Sequence, residues 1–154
     1  MTASLPLLLL DVDGVLNPFA APACPAGYTE HHFFPGEEPV RLCPAHGSWL
    51  QELATRFQIV WATAWGADAN RLLAPLLRCP DLPVIPFPPV PFHPRDKLPA
   101  ITRYAGHRSL AWVDEHPPEA HMGRQPRHAN PAHQHRPCRR THTPSHRPSP
   151  SMGA

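Results

Sequence analysis

The sequence predicts an α/β domain: an open parallel sheet with helices on its flanks. Three observations lead there. Short apolar runs at residues 7–10, 58–62, 82–87 and 109–113 have the length and composition of buried strands. Segments with helical spacing of apolar residues lie between them. The resulting order of strand, helix, strand, helix, strand, helix, strand is that of a parallel sheet joined by crossover helices.

The first run is four leucines, Leu7 to Leu10, and reads as a strand buried on both faces. It stops abruptly at Asp11, Val12, Asp13 and Gly14. Alternation along a strand sends Asp11 and Asp13 to the same side, with Val12 opposite. A core does not accept two anions side by side, because burying an unpaired carboxylate is costly. The pair therefore implies a strand end open to a cation. Gly14 lets the backbone turn just past it. The plainer alternative is a strand that ends in a polar Asp-x-Asp-Gly turn.

Residues 18–39 are rich in Pro, Gly and aromatics and read as an irregular excursion with room for a small hairpin. Residues 48–57 predict a helix with Trp49, Leu50, Leu53, Ala54 and Phe57 on one face and Ser48 as N-cap. The second strand, 58–62, ends at Thr63. A second helix follows over 68–77, capped by Asp68, with Leu72, Leu73, Leu76 and Leu77 as its apolar stripe. The third strand, 82–87, is interrupted by proline, and 88–94 is a stiff proline-rich connection. A short helix over 96–104 leads to the fourth strand, 109–113, which ends in Asp114 and Glu115.

A chain of 154 residues has room for a single core. Its 24 prolines far exceed the usual share of about one residue in twenty, which predicts extended connections and a part that does not pack. Charge marks the boundary. Through Glu119 there are 8 Lys/Arg and 12 Asp/Glu, whereas from Ala120 onward there are 6 Arg and no acid. Residues 1–119 are thus expected to form the core domain and 120–154 a Pro/His/Arg-rich disordered tail. The four cysteines, Cys24, Cys43, Cys79 and Cys138, are widely spaced and form no Cys-x-x-Cys pair. The apolar run before Asp11 is too short to span a bilayer and has no basic leader. These features predict a soluble, cytoplasmic protein with reduced thiols and no membrane partner.

In a parallel α/β sheet, ligands bind beyond the carboxyl ends of the strands. Those ends carry Asp11 and Asp13, Thr63, and Asp114 with Glu115, while Lys97 begins the helix before the last strand. The four stretches DVDGV, VWATAW, RDK and WVDE, in that order, resemble the haloacid-dehalogenase (HAD) superfamily over about residues 7–119. That group consists mainly of Mg²⁺-dependent phosphohydrolases with a Rossmann-like core. The combination of WATAW with WVDE resembles a small HAD branch whose related domains occur in RNA-repair proteins. The resemblance implies that Asp11 is the nucleophile that becomes an aspartyl phosphate, and that Asp13 is the general acid and then the base. It implies that Thr63 hydrogen-bonds the transferring phosphoryl group and that Lys97 balances its charge. Mg²⁺ would be held by Asp11, Asp114 and the backbone carbonyl of Asp13, and Gly14 and Ala64 would contact the substrate.

The chemistry is consistent with those roles. Phosphoryl transfer needs positioning and charge neutralisation above all, and a carboxylate nucleophile divides one hard displacement into two easier ones. Mg²⁺ prefers oxygen ligands and keeps several waters, so two carboxylates and a carbonyl suffice. Asp13 must carry a proton to act as an acid, which neighbouring anions favour. One departure stands out: the family commonly has two adjacent aspartates in its last motif, whereas here Glu115 follows Asp114.

The excursion at 18–39 occupies the place where the superfamily inserts substrate-selecting caps. Its shortness predicts an open site for a phosphorylated small molecule or nucleic-acid end. Tyr28, His31, His32, Phe33 and Phe34 are candidates for the entrance, although simple packing of the loop explains them as well. Cys24, His31, His32, Cys43 and His46 offer a weaker, irregularly spaced set for zinc. A HAD core normally continues with another strand and helix, so the sequence after Glu119 predicts an atypical or truncated C-terminal part, as a reading-frame change would produce. Two functions follow. One is a Mg²⁺-dependent phosphatase. The other is a catalytically impaired HAD-like protein whose basic tail contacts nucleic acid.

Overall fold

The computed structural model describes residues 4–115. Strand β1 (Leu7–Leu10) lies at the centre of a parallel sheet, between β4 (Gln58–Trp61) and β5 (Leu110–Val113). Leu7 stands opposite Gln58 and Leu110, and Leu10 opposite Trp61 and Val113, so the three strands end at one rim. All four leucines of β1 are buried, as a strand covered on both faces requires. Leu8 and Leu10 join Leu50, Ile59, Trp61, Leu73 and Leu77 on one side of the sheet. Leu7 and Leu9 join Val60, Ile85, Ile101 and Ala105 on the other. Helices α1 (Ala45–Ala54) and α2 (Ala74–Leu77) therefore cover one face and α3 (Lys97–Ala105) the other. This is the α/β architecture with a Rossmann-like parallel sheet that the sequence predicts.

The expected third strand differs. Residues 82–87 make a single parallel bridge, Val84 to Trp61, beside β4. The Trp61 N–H donates to the Pro83 carbonyl at 2.8 Å and the Ile85 N–H to the Trp61 carbonyl at 2.9 Å. Pro83 and Pro86 have no N–H to extend that pairing into a ladder. Asn70 supplies what the prolines cannot. It accepts from the Leu82 N–H, donates to the Leu82 carbonyl and accepts from the Trp61 indole.

The first two helices also begin and face differently from expectation. α1 starts three residues before Ser48, because Pro44 already holds helical backbone angles and occupies the N-cap position. Ser48 therefore lies inside the helix. The buried face is His46, Gly47 and Leu50; of the predicted stripe, Leu50 is buried and Phe57 packs against the core, whereas the other three members do not. Trp49 is 57% exposed, and Leu53 and Ala54 also face outward. Gly47 explains the choice: a side chain there would strike the Leu77 carbonyl, so its absence lets α1 close onto the end of α2. The second helix opens as a π-turn over Ala69–Leu73 before α2. Pro75 cannot donate to the carbonyl four residues back, and a widened turn accommodates it. The Asp68 side chain makes no cap and pairs with Arg71 instead, while Leu76 of the predicted stripe points outward.

The excursion contains a small antiparallel hairpin, β2 (Thr29–His31) with β3 (Val40–Leu42), anchored by the burial of Val40 and Leu42. The predicted tail, Cys138 within it and the predicted C-terminal truncation lie outside the described residues. Among the described residues, no helix is long and apolar enough to cross a membrane, and Cys24, Cys43 and Cys79 are free thiols.

Two predictions follow from the packing of α1. Replacing a helical glycine by alanine ordinarily gains about 1 kcal/mol, but a collision with backbone outweighs that gain. Gly47→Ala is therefore expected to lose roughly 1 to 2 kcal/mol in urea unfolding. His46 is buried against Tyr28 and Trp49, and its Nδ1 has no hydrogen-bond partner. Burial holds its pKa below the ordinary value of 6.5. The folded ring thus stays neutral where the unfolded ring protonates. Its contribution to stability is present above pH 6.5 and is lost as pH falls through the lowered folded value. The urea midpoint should decline over that window, and less so in His46→Phe.

Candidate active site

Backbone geometry at the end of β1 places both acidic side chains. Asp11 is the first residue past the strand, and Val12 is fully buried in the core. The Val12 carbonyl then accepts from the N–H groups of Val15, Leu16 and Asn17, which folds the chain into a tight loop. Gly14 takes φ +74° in that loop, and its N–H donates to the Asn17 carbonyl at 2.9 Å. A side chain at Gly14 would collide with Glu115, so the glycine lets the loop after β1 approach the end of β5.

Lys97 is brought in by a device absent from the sequence reading. The His93 ring accepts from the Arg95 N–H, and the Asp96 carboxylate accepts from the His93 N–H. This reciprocal cap sets the 3₁₀ turn Pro94–Asp96 that runs into α3 and fixes where Lys97 emerges. Its Nζ donates to Asp11 Oδ2 and Asp114 Oδ2, each at 2.6 Å, and lies 5.7 Å from the centre of the Phe87 ring. The other Asp11 oxygen accepts from the Val12 N–H at 2.7 Å. Carboxylates from the ends of β1 and β5 thus meet at one buried ammonium.

The charges are strongly coupled. Burial pushes the Asp11 carboxyl above its ordinary range, and the hydrogen bond and charge of Lys97 only partly oppose this. Burial alone would lower the Lys97 ammonium, but Asp11 and Asp114 outweigh it and raise its pKa. Lys97 therefore stays charged across the neutral range.

Asp13 faces the same cavity as Asp11, with its oxygens held separately. Oδ1 accepts from the Asn17 side-chain amide at 2.8 Å and Oδ2 from the Trp65 indole at 2.9 Å. Asn17 in turn accepts from the Arg41 N–H of β3, which links the hairpin to Asp13. Trp65 closes the VWATAW stretch and Asn17 lies two residues past DVDGV, and the sequence assigns a role to neither. Only their distance from Asp13 in the fold reveals one.

A cavity of about 410 Å³ is bounded by Asp11, Asp13, Ala64, Lys97, Asp114 and Glu115, among others. Ala64 faces this space directly. Thr63 is buried just behind it, and its hydroxyl accepts from the Trp65 N–H at 3.3 Å. Of the entrance candidates, Phe34 lines a neighbouring cavity. Tyr28 packs on His46, and His31 stacks on Phe33, which packs in turn on Trp65. Asp11, Asp13, Asp114 and Glu115 line this cavity together with Lys97. Among the described residues, no three His, Cys, Asp or Glu side chains gather tightly enough to hold an ion unaided, which removes the zinc set considered above. The oxygen-only donors Asp11 and Asp114 do fit Mg²⁺, which takes one or two carboxylates and completes its shell with water and substrate.

The site is thus an acidic one, built at the ends of parallel strands around a buried lysine. The family described as "HAD domain in Swiss Army Knife RNA repair proteins" matches residues 7–125, and the chain belongs to it. No curated protein and no solved structure matches the chain.

The buried Asp11 predicts a trade between function and stability. Because its folded pKa is raised, ionised Asp11 destabilises the fold above the ordinary carboxylate value of 3.8, and the penalty is absent below it. Asp11→Asn, measured in EDTA, removes that penalty together with one of the two carboxylates on Lys97, so the difference in melting temperature between variant and wild type should move in the variant's favour as pH rises from 4 to 7.

Proposed function

We propose that the chain is a Mg²⁺-dependent phosphohydrolase that acts on a phosphate monoester through an aspartyl phosphate at Asp11. The observation that carries this reading is the shared grip of Asp11 and Asp114 on Lys97 at the mouth of a carboxylate-rich cavity. The ammonium holds Asp11 in place and offers positive charge to an arriving phosphoryl group. A carboxylate oxygen has two lone pairs, so an Asp11 oxygen that accepts one hydrogen bond still has an electron pair for phosphorus.

In the first step an Asp11 oxygen attacks phosphorus and the bond to the leaving alcohol breaks. Asp13 gives its proton to that alcohol oxygen. In the second step Asp13 takes a proton from water, the water oxygen attacks phosphorus, and the bond to Asp11 breaks to release phosphate. The indole of Trp65 and the amide of Asn17 keep the Asp13 carboxyl oriented through both steps. Asp11, Asp114 and the Asp13 backbone carbonyl would hold Mg²⁺, with Glu115 close by. The ion would neutralise charge that builds on the phosphoryl oxygens. Gly14 contributes by admitting Glu115, and Ala64 by leaving room beside the phosphoryl position. Thr63, from behind, fixes the backbone of that turn.

Release of phosphate from an aryl phosphate tests the reading. The wild type should require Mg²⁺, and Asp11→Asn should lose at least about a thousand-fold in kcat, as expected when a covalent nucleophile is removed. Wild-type turnover no faster than the variant's overturns the proposal.

A further inference from the structure

A second cavity of about 410 Å³ adjoins the first. The two share Asp13, Phe19, Ala64 and Val90 as walls, so Asp13 stands at their boundary. Asp11, Lys97 and Asp114 face only the first. In an in-line displacement the leaving oxygen lies away from the nucleophile and beside the general acid. With phosphorus in the first cavity, the alcohol portion of the ester extends into the second.

The walls of this second space have a definite chemistry. Phe19, Phe34 and Trp65 supply aromatic surface, and the Phe34 and Trp65 rings form a tilted corner 5.8 Å between centroids. Glu37, Glu38 and Asp68 supply carboxylates, and among the described residues neither Lys nor Arg lines the space. Arg71 partly balances Asp68 from outside the lining. Aromatic faces beside carboxylates attract an organic cation through the ring quadrupole and through charge. The same walls repel a second phosphate or a polynucleotide backbone.

We infer, building on the hydrolase reading, that the second cavity selects phosphate esters of small alcohols that carry a positive charge, of the amino- or quaternary-ammonium class. Aromatic surface and carboxylates act together there, and Trp65 serves twice, with its indole N–H on Asp13 and its ring on the leaving group.

The decisive comparison is kcat/KM for phosphocholine against its uncharged isostere, 3,3-dimethylbutyl phosphate, and against a 5′-phosphorylated oligonucleotide. A generic aryl phosphate serves as reference. The cation should lead its isostere by about ten-fold or more at low ionic strength, and added salt should compress that lead. The double variant Glu37→Gln/Glu38→Gln should reduce the cation-to-isostere ratio, a readout that a general loss of activity would not move. Equal rates for cation and isostere, or preference for the oligonucleotide, overturn the inference and leave the hydrolase reading standing. Absence of turnover of every ester, the aryl phosphate included, overturns both.

Discussion

Two carboxylates from strands at opposite ends of the domain sequence share one lysine nitrogen, and the rest of the site is arranged to make that tolerable. Asp11 ends β1, Asp114 follows β5, and Lys97 begins the helix between them. None of the three would be stable in that position alone. Burial makes an isolated carboxylate or ammonium costly, and removal of one partner leaves the other exposed to that cost. The parallel register of β1 and β5 is what brings the aspartates to one level, and the cap formed by His93 and Asp96 delivers the lysine. The fold is in this sense a frame that holds like charges close together.

That arrangement gathers several carboxylates and one ammonium in a single cavity, and the proposed phosphoryl transfer makes use of both. Lys97 answers two of the carboxylates, while Asp13 and Glu115 add more anion to the same cavity. In the proposed reaction a divalent cation held by Asp11 and Asp114 would join Lys97 in offering positive charge to a phosphate dianion. Asp13 is set apart from this cluster by neutral donors, Trp65 and Asn17. Two aspartates one residue from a shared neighbour thus sit in different environments, one against an ammonium and one against amide and indole N–H groups.

Much of this was legible in the sequence because it rests on local rules. The run of leucines stopped by two aspartates identifies the central strand and its acidic end, and the order of strand-end polar residues identifies one rim. What was not legible depends on contacts between distant segments. The buried face of α1 departs from the predicted stripe at Trp49, Leu53 and Ala54 because the decisive residue is Gly47, whose value lies in the approach of Leu77 rather than in any apolar period. The third strand was over-read because apolar composition at 82–87 hides the missing amide donors of Pro83 and Pro86. Trp65 and Asn17 carry no charge and mark no strand end, so only the folded loop shows that they hold Asp13. Glu115 looked like a departure from the motif; its packing against Gly14 shows that it belongs to the same loop-to-strand contact.

In the proposed hydrolase Asp11 takes the phosphoryl group from substrate. The most direct measurement is acid quenching during turnover of an aryl phosphate with Mg²⁺, reduction of any acyl phosphate with borohydride, and mass spectrometry of the resulting peptides. Reduction at Asp11, dependent on substrate and absent in Asp13-only peptides, is the predicted result. An acyl phosphate on another residue, or turnover with none at Asp11, would contradict it.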